Sequence, residues 1–296
     1  MTPGKDTLSP DTVIAFIGGG NMATALIGGL YAAGADHAPG TDLAGSVSRP
    51  YVRVADPNGE ARNRMIKDFG VVATPDGAAA AAGADLVVLA VKPQLVQAAL
   101  DGLGKQLTPQ QTLVSVAAGT TIATLQGLIA DGVPVVRTMP NTPALLGLGM
   151  TGLFADARCT RRDRDRAESL MGVCGATVWV DEEDQMNLVT AVSGSGPAYY
   201  YLFTEALAEA ATALGLPRET ALRLARQTAL GAGAMAARDE TDIVELRRRV
   251  TSPGGTTQAA IEALEADALR AIVARAVDAA TRRGRALAGT ESGADA

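Results

Sequence analysis

Residues 12–17 (Thr-Val-Ile-Ala-Phe-Ile) form an apolar run that stops on three glycines, Gly18-Gly19-Gly20, and gives way to a helical pattern from Met22 to Ala33. That junction restricts the fold more than any other stretch of the chain. An apolar run without alternation fits a strand buried on both faces, as in a parallel sheet covered by helices. Parallel strands need helical crossovers, and the sequence supplies them. Strand candidates at residues 51–56, 70–72, 85–91, 111–116, 133–138 and 176–180 are interleaved with helical segments at 57–69, 122–129 and 162–171. The expected fold is an α/β doubly wound parallel sheet.

Past Asp184 the pattern changes. Residues 186–192, 198–214, 218–237, 243–250, 257–266 and 269–288 carry helical periodicity with no strand candidate among them. The reading is therefore a sheet domain over 1–182, an all-α domain over 183–289, and a small, polar tail at 290–296 expected to be disordered. Residues 35–50, rich in Pro, Gly and Ser, read as an irregular insertion.

At 296 residues the chain is long enough for two buried cores. A net charge of −6, no long basic run and 3% aromatic residues argue against a nucleic-acid binder. No apolar run approaches the ~18 residues of a membrane span, and the start lacks a basic-then-apolar signal, so the expectation is a soluble, cytoplasmic protein with no membrane partner. Cys159 and Cys174 stand apart, without metal or redox spacing, and read as buried thiols in a reducing compartment. The only histidine is His37, in a loop-like stretch, and the only lysines are Lys5, Lys67, Lys92 and Lys105. That inventory excludes histidine-clustered metal sites, Ser-His-Asp triads and a lysine acid in the helical domain.

The first glycine turn, Gly18-Gly19-Gly20-Asn21-Met22-Ala23, fits the G-x-G-x-x-A form that binds a dinucleotide. Gly18 allows the tight turn, Gly20 admits the pyrophosphate, and Ala23 lets the helix pack on its strand. Asp56 closes the second strand, where an acid takes the ribose hydroxyls. Its distance from Gly18 is long, and the 35–50 insertion accounts for the excess. A helix-start acid before Pro57 is the plainer alternative. Asp56 would repel a 2′-phosphate, and Arg62 and Arg64 could offset that, so either NADP(H) or NAD(H) is expected. Val91-Lys92-Pro93 ends the fourth strand, Ala117-Ala118-Gly119 the next, and Met139-Pro140-Asn141-Thr142-Pro143 the one after. Strand ends of such sheets face the ligand crevice. Lys92 either reaches a ribose or phosphate or is a solvated surface lysine.

A second glycine turn lies in the helical half: Thr251-Ser252-Pro253-Gly254-Gly255-Thr256-Thr257, running into a helix. Glycines let backbone approach a ligand, and free N–H groups at a helix start attract an anion. With hydroxyls and no lysine, this turn suggests a small carboxylate held opposite the dinucleotide. Helix capping alone needs one Ser or Thr. Ser193-Gly194-Ser195-Gly196-Pro197-Ala198-Tyr199, opening the long helix, is read as close helix packing.

Together with Ala90-Val91-Lys92-Pro93-Gln94 and Val116-Ala117-Ala118-Gly119, these segments resemble the pyrroline-5-carboxylate reductase family, over nearly the whole chain. The resemblance implies a Rossmann domain followed by a helical dimerisation domain, in a homodimer that in some members assembles into a decamer, a pentamer of dimers. It implies reduction of 1-pyrroline-5-carboxylate to L-proline, the last step of proline biosynthesis. Cofactor contacts are implied at Ile17, Gly18, Gly19, Gly20, Asn21 and Met22, at Val91, Lys92 and Pro93, and at Ala118. Substrate contacts are implied at Glu183, Ser252, Gly254, Gly255, Thr256 and Thr257, with Glu240 nearby and Thr257 as the catalytic hydroxyl. The chain departs from the family at Gly77, at Asp242-Ile243 and at Arg248-Arg249.

The residue inventory agrees with that chemistry. Reducing a ketone creates an alkoxide and calls for a strong acid such as His or Lys. Reducing a cyclic imine that enters protonated calls for none. The rivals are a β-hydroxyacid-type dehydrogenase, which would want a lysine on the long helix after Gly196, another imine reductase on the same scaffold, and a non-catalytic nucleotide-binding scaffold protein.

Overall fold

A computed structural model describes residues 8–33 and 50–289. The insertion at 35–50 up to its last residue, His37 within it, and the tail at 290–296 lie outside the described residues. Two compact units emerge: one runs to Gly194 and takes in the chain from Thr281 onward, and the other is Ser195–Ala280.

The first unit alternates strands and helices: β1 (Val13–Ile17), α1 (Asn21–Ala33), β2 (Tyr51–Ala55), α2 (Gly59–Phe69), β3 (Val72–Thr74), α3 (Gly77–Ala81), β4 (Leu86–Leu89), α4 (Val96–Leu100), β5 (Thr112–Ser115), α5 (Ile122–Leu128), β6 (Val135–Met139), β7 (Gly149–Ala155), α6 (Arg161–Gly172) and β8 (Gly175–Trp179). They form one eight-stranded sheet, ordered β3-β2-β1-β4-β5-β6-β7-β8. Side chains alternate across it. Ile14, Phe16, Leu86 and Val88 enter one buried layer with Leu26 and Leu170, while Ala15, Ile17, Val87 and Leu89 enter the other with Leu100 and Leu125. Burial on both faces is what the uninterrupted apolar runs require.

The sheet is parallel, as expected, except for one pair of strands. β7 was not anticipated, and it runs antiparallel to β6, with β8 parallel to β7. The connection from Met139 to Gly149 holds only a short 3-10 turn, Thr142–Leu146. A link of that length cannot carry a crossover helix, so the chain must return antiparallel. Glycines concealed β7: Gly149 and Gly152 weaken its strand signal. They serve close packing, since a Cβ on Gly152 would sit 2.5 Å from Val189 Cγ1. α3, α4 and the displacement of β3 to Val72–Thr74 were also not read from the sequence.

After β8 the chain continues through α7 (Gln185–Val189) and a π-helical turn, Thr190–Gly194, still within the first unit. α8 (Gly196–Ala213), α9 (Arg218–Arg238), α10 (Ile243–Arg249) and α11 (Thr256–Ala266) build the second unit, and α12 (Leu269–Leu287) begins there. The end of α12 belongs to the first unit, where Arg285 grips Asp184 through Nε at 2.9 Å and Nη2 at 2.5 Å. The sequence reading put the domain boundary between 182 and 183, whereas the compact units divide at Gly194. α7 packs on β7 through Val189, and packing of that kind leaves no mark in helical periodicity.

Candidate active site

The first glycine turn sits where three strand ends line up. Ile17 pairs in register with Ala55 and Leu89, and Leu89 with Ser115. Gly18 has φ +106°, its N–H donates to the Ala55 carbonyl at 2.7 Å, and a Cβ there would lie 2.6 Å from the Ala90 carbonyl oxygen. Only glycine fits that corner. A Cβ on Gly20 would meet nothing within 4 Å, so the turn opens onto free space. Thr24 N–H donates to the Gly20 carbonyl, and the earlier N–H groups of Asn21, Met22 and Ala23 have no intrahelical acceptor. Ala23 is wholly buried against the sheet. Open space faced by first-turn N–H groups fits a pyrophosphate.

Asp56 follows β2 directly, and both its carboxylate oxygens are engaged by backbone. Oδ2 accepts from Gly19 N–H at 2.8 Å and Oδ1 from Asn58 N–H at 2.8 Å. The cap of α2 is Asn58, whose side chain accepts from Glu60 and Ala61 N–H. The helix-start role considered for Asp56 therefore falls to Asn58. Val91 Cγ1 approaches the Gly18 corner, at 3.0 Å from a Cβ built there. Lys92 is exposed, its ammonium group makes no hydrogen bond among the described residues, and it precedes a 3-10 turn opened by Pro93. Ala118, just past β5, is exposed. These residues share the edge of the sheet at which β1, β4 and β5 end.

Glu183 lies near the same edge in a network that sequence reading missed. Its Oε1 accepts from Ile122 N–H at 2.8 Å, at the start of α5, and from Arg137 Nη1 at 3.0 Å. Arg137, on β6, is 4% exposed, so Glu183 neutralises a charge that has left water. Asn141 ties the β6–β7 connection together: its side chain donates to the Ser193 carbonyl at 3.0 Å and accepts from Met150 N–H at 2.9 Å.

The second turn belongs to the helical unit. Gly254 has φ +69° and its N–H donates to Gln258 Oε1 at 2.7 Å. Gly255 N–H closes onto the Ser252 carbonyl at 3.0 Å, and a Cβ on Gly255 would collide with Ser252 Oγ. The two glycines therefore shape the loop, and their N–H groups are already used. The backbone donors left over are those of Thr256, Thr257 and Gln258, the first residues of α11, since the first bond into the helix runs from Ala259 N–H to the Gly255 carbonyl. The helix is capped by Gly255, with no side-chain cap. The hydroxyls of Thr256 and Thr257 have no hydrogen-bond partner among the described residues. Gln258, whose amide nitrogen donates to Glu262 Oε1 at 2.7 Å, was not picked out from the sequence. Glu240, exposed on the α9–α10 connection of the same unit, makes no ion pair among the described residues.

Neither cysteine takes part. Burial pushes the Cys159 thiol up to about 12 and the Cys174 thiol up to about 11. Both stay protonated and weakly nucleophilic at neutral pH.

Comparison with known proteins is consistent along the chain. Residues 183–287 match the family described as pyrroline-5-carboxylate reductase dimerisation, and residues 13–119 match NADP oxidoreductase, coenzyme F420-dependent. A pyrroline-5-carboxylate reductase of Pseudomonas aeruginosa is 46% identical over 275 residues, which cover 93% of this chain and 96% of that protein. Among solved structures, a pyrroline-5-carboxylate reductase from Coxiella burnetii is 38% identical with TM-score 0.84, over 94% of this chain and 98% of its own. A Plasmodium falciparum pyrroline carboxylate reductase with NADP bound is 26% identical with TM-score 0.74, over 94% of this chain and 99% of its own. The sheet with its glycine turn, the helical unit with its threonine-bearing helix start, and these likenesses lead to one conclusion: the chain belongs to the pyrroline-5-carboxylate reductase family.

Proposed function

We infer that this chain reduces 1-pyrroline-5-carboxylate to L-proline with NADPH or NADH, acting as a homo-oligomer. The observation that carries the reading is the start of α11. There, the N–H groups of Thr256, Thr257 and Gln258 and the hydroxyls of Thr256 and Thr257 have no protein partner among the described residues, in a helical region with no histidine or lysine. Such a site can hold a carboxylate and orient a C=N bond, and it offers no strong acid for an alkoxide. The cofactor supplies a hydride from its nicotinamide ring.

The chain's own residues then have the following roles. The turn at residues 17–22 and Asp56 hold the pyrophosphate and ribose end, with Val91, Lys92, Pro93 and Ala118 along the neighbouring strand ends. Thr256 and Thr257 N–H groups dock the substrate carboxylate. The Thr257 hydroxyl faces the ring nitrogen, donating to a neutral imine or accepting from the product amine. Ser252, Gly254 and Gly255 shape that loop, Glu240 lies beside the substrate, and Glu183 contacts it while holding Arg137. A ring nitrogen that arrives protonated becomes the secondary amine of proline on hydride addition at carbon, with no further proton required.

The finer assembly is a homodimer formed through the helical region, with a decamer as a pentamer of dimers. The setting is the cytoplasm; among the described residues no helix is long and apolar enough to cross a membrane. The test is direct. Purified protein should consume NADPH, followed by its absorbance, only when pyrroline-5-carboxylate is added, and proline should accumulate in equal amount. NADPH consumption with a 2-keto acid and none with the cyclic imine would retire the reading.

A further inference from the structure

The geometry points to Asp56 and Arg64 as a two-sided clamp on Gly19, a positioning pair that sets the first glycine turn equally for NADPH and NADH. Gly19 N–H donates to Asp56 Oδ2 at 2.8 Å, and the Gly19 carbonyl accepts from Arg64 Nη2 at 2.9 Å. The two side chains come from different elements, Asp56 from the end of β2 and Arg64 from α2. Asp56 is itself pinned, because its second oxygen accepts from Asn58 N–H. Arg62 fixes the same corner, its Nη1 donating to the Asp56 carbonyl at 2.7 Å and the Pro57 carbonyl at 2.9 Å.

The clamp matters because a peptide unit is planar. The Gly19 carbonyl and the Gly20 N–H share one plane and point in opposite directions. Holding that carbonyl toward α2 aims the Gly20 N–H to the other side. Gly20 is the position where an added Cβ meets nothing within 4 Å. A glycine peptide without side-chain restraint flips readily. Gly18 is held by the sheet through its bond to Ala55, whereas Gly19 depends on these two side chains. The pair therefore organises the pyrophosphate end, which is common to both cofactors, and leaves the hydride-transfer step alone.

This differs from a charge balance at the ribose, in which Asp56 repels and Arg64 attracts a 2′-phosphate. The discriminating experiment measures KM and kcat for NADPH and for NADH, at saturating pyrroline-5-carboxylate, in Arg64→Leu, Asp56→Ala and Asp56→Asn. Wild-type rates with each cofactor come first, so that failure of the activity itself is seen separately. The clamp predicts that Arg64→Leu and Asp56→Ala each raise both KM values by a common factor of about tenfold, from loss of one charge-assisted hydrogen bond to Gly19, with kcat within about twofold. Asp56→Asn keeps one oxygen for Gly19 N–H while its amide NH2 faces the Asn58 N–H, and it should recover part of the loss seen with alanine. A KM increase confined to NADPH in Arg64→Leu would make Arg64 a phosphate ligand and overturn the clamp. Unchanged KM values for both cofactors, or identical behaviour of Asp56→Asn and Asp56→Ala, would overturn it as well. Thermal melting of each variant identifies any that has simply unfolded, and the remaining variants decide.

Discussion

The two units of this chain are finished to different degrees. The sheet unit buries Ile14, Phe16, Leu26, Leu86, Leu113, Leu125 and Leu170 completely. In the helical unit the buried hydrophobic cluster is three alanines, Ala208, Ala221 and Ala225. Its large apolar residues face outward: Tyr200 is 73% exposed, Phe203 54%, Leu230 60% and Val273 51%. The two glycine turns repeat the contrast. The first is clamped by sheet bonds and charged side chains, while the second presents unpaired donors at the start of α11. A unit with a complete core has already buried its large apolar side chains within itself. One with exposed aromatics along a helix needs a second surface, and a dimerisation domain provides it.

The largest effect should come from the helical unit. Tyr200, Phe203 and Leu207 lie on one face of α8, and all three are exposed. Phe203→Glu with Leu207→Glu should convert the oligomer to a 30.1 kDa monomer in light scattering and abolish turnover. An oligomer of unchanged mass would place the contact elsewhere.

Next in size is the first turn. Gly18→Ala forces a Cβ toward the Ala90 carbonyl at a φ that costs an L-residue about 1–3 kcal/mol before any clash. We expect cofactor affinity to fall at least ~100-fold, read by quenching or transfer of nicotinamide fluorescence, with the oligomer intact. Retained affinity would mean the corner is less rigid than its contacts imply.

A smaller effect should follow at the second turn. Gln258→Ala removes the acceptor for Gly254 N–H, a bond worth about 1 kcal/mol, so KM for pyrroline-5-carboxylate should rise roughly fivefold with kcat almost unchanged. If kcat falls more than KM rises, Gln258 acts in the transition state.

The smallest effect concerns pH. The folded Cys159 thiol, raised to about 12 from its ordinary 9.0, keeps a proton that the unfolded chain loses. Its contribution to stability is complete below pH 9 and is lost as pH rises from there toward 12. Cys159→Ser should flatten the alkaline decline of the melting temperature, and an unaltered decline would assign it to other groups.

What the sequence revealed, and what it hid, follows the same physical division. Local patterns were legible. The glycine turn, the helices from α8 to α12 and most strands announce themselves through periodicity and turn residues. Long-range bonds were not. The Arg137–Glu183 pair, the Asp56–Gly19–Arg64 clamp and the Arg285–Asp184 grip join positions whose spacing carries no signal, because the sheet brings them together only after folding. β7 escaped because its glycines, needed where Val189 approaches, erase the alternation of a strand. The substrate loop was legible as a motif. That its glycine N–H groups are used internally, leaving the donors of the first turn of α11, required the hydrogen bonds.

The central claim is that the start of α11 is left open for substrate, and Thr257→Ala tests it most directly. The variant keeps the backbone donors and removes one hydroxyl. Since Gly255 caps the helix without a side chain, the melting temperature should not move. Proline binding should weaken by about 1 kcal/mol. kcat should fall roughly tenfold to a thousandfold if the hydroxyl orients the imine in the transition state. Both quantities are measured on one preparation. An intact kcat with a lowered melting temperature would show that Thr257 stabilises the helix, and would contradict the account.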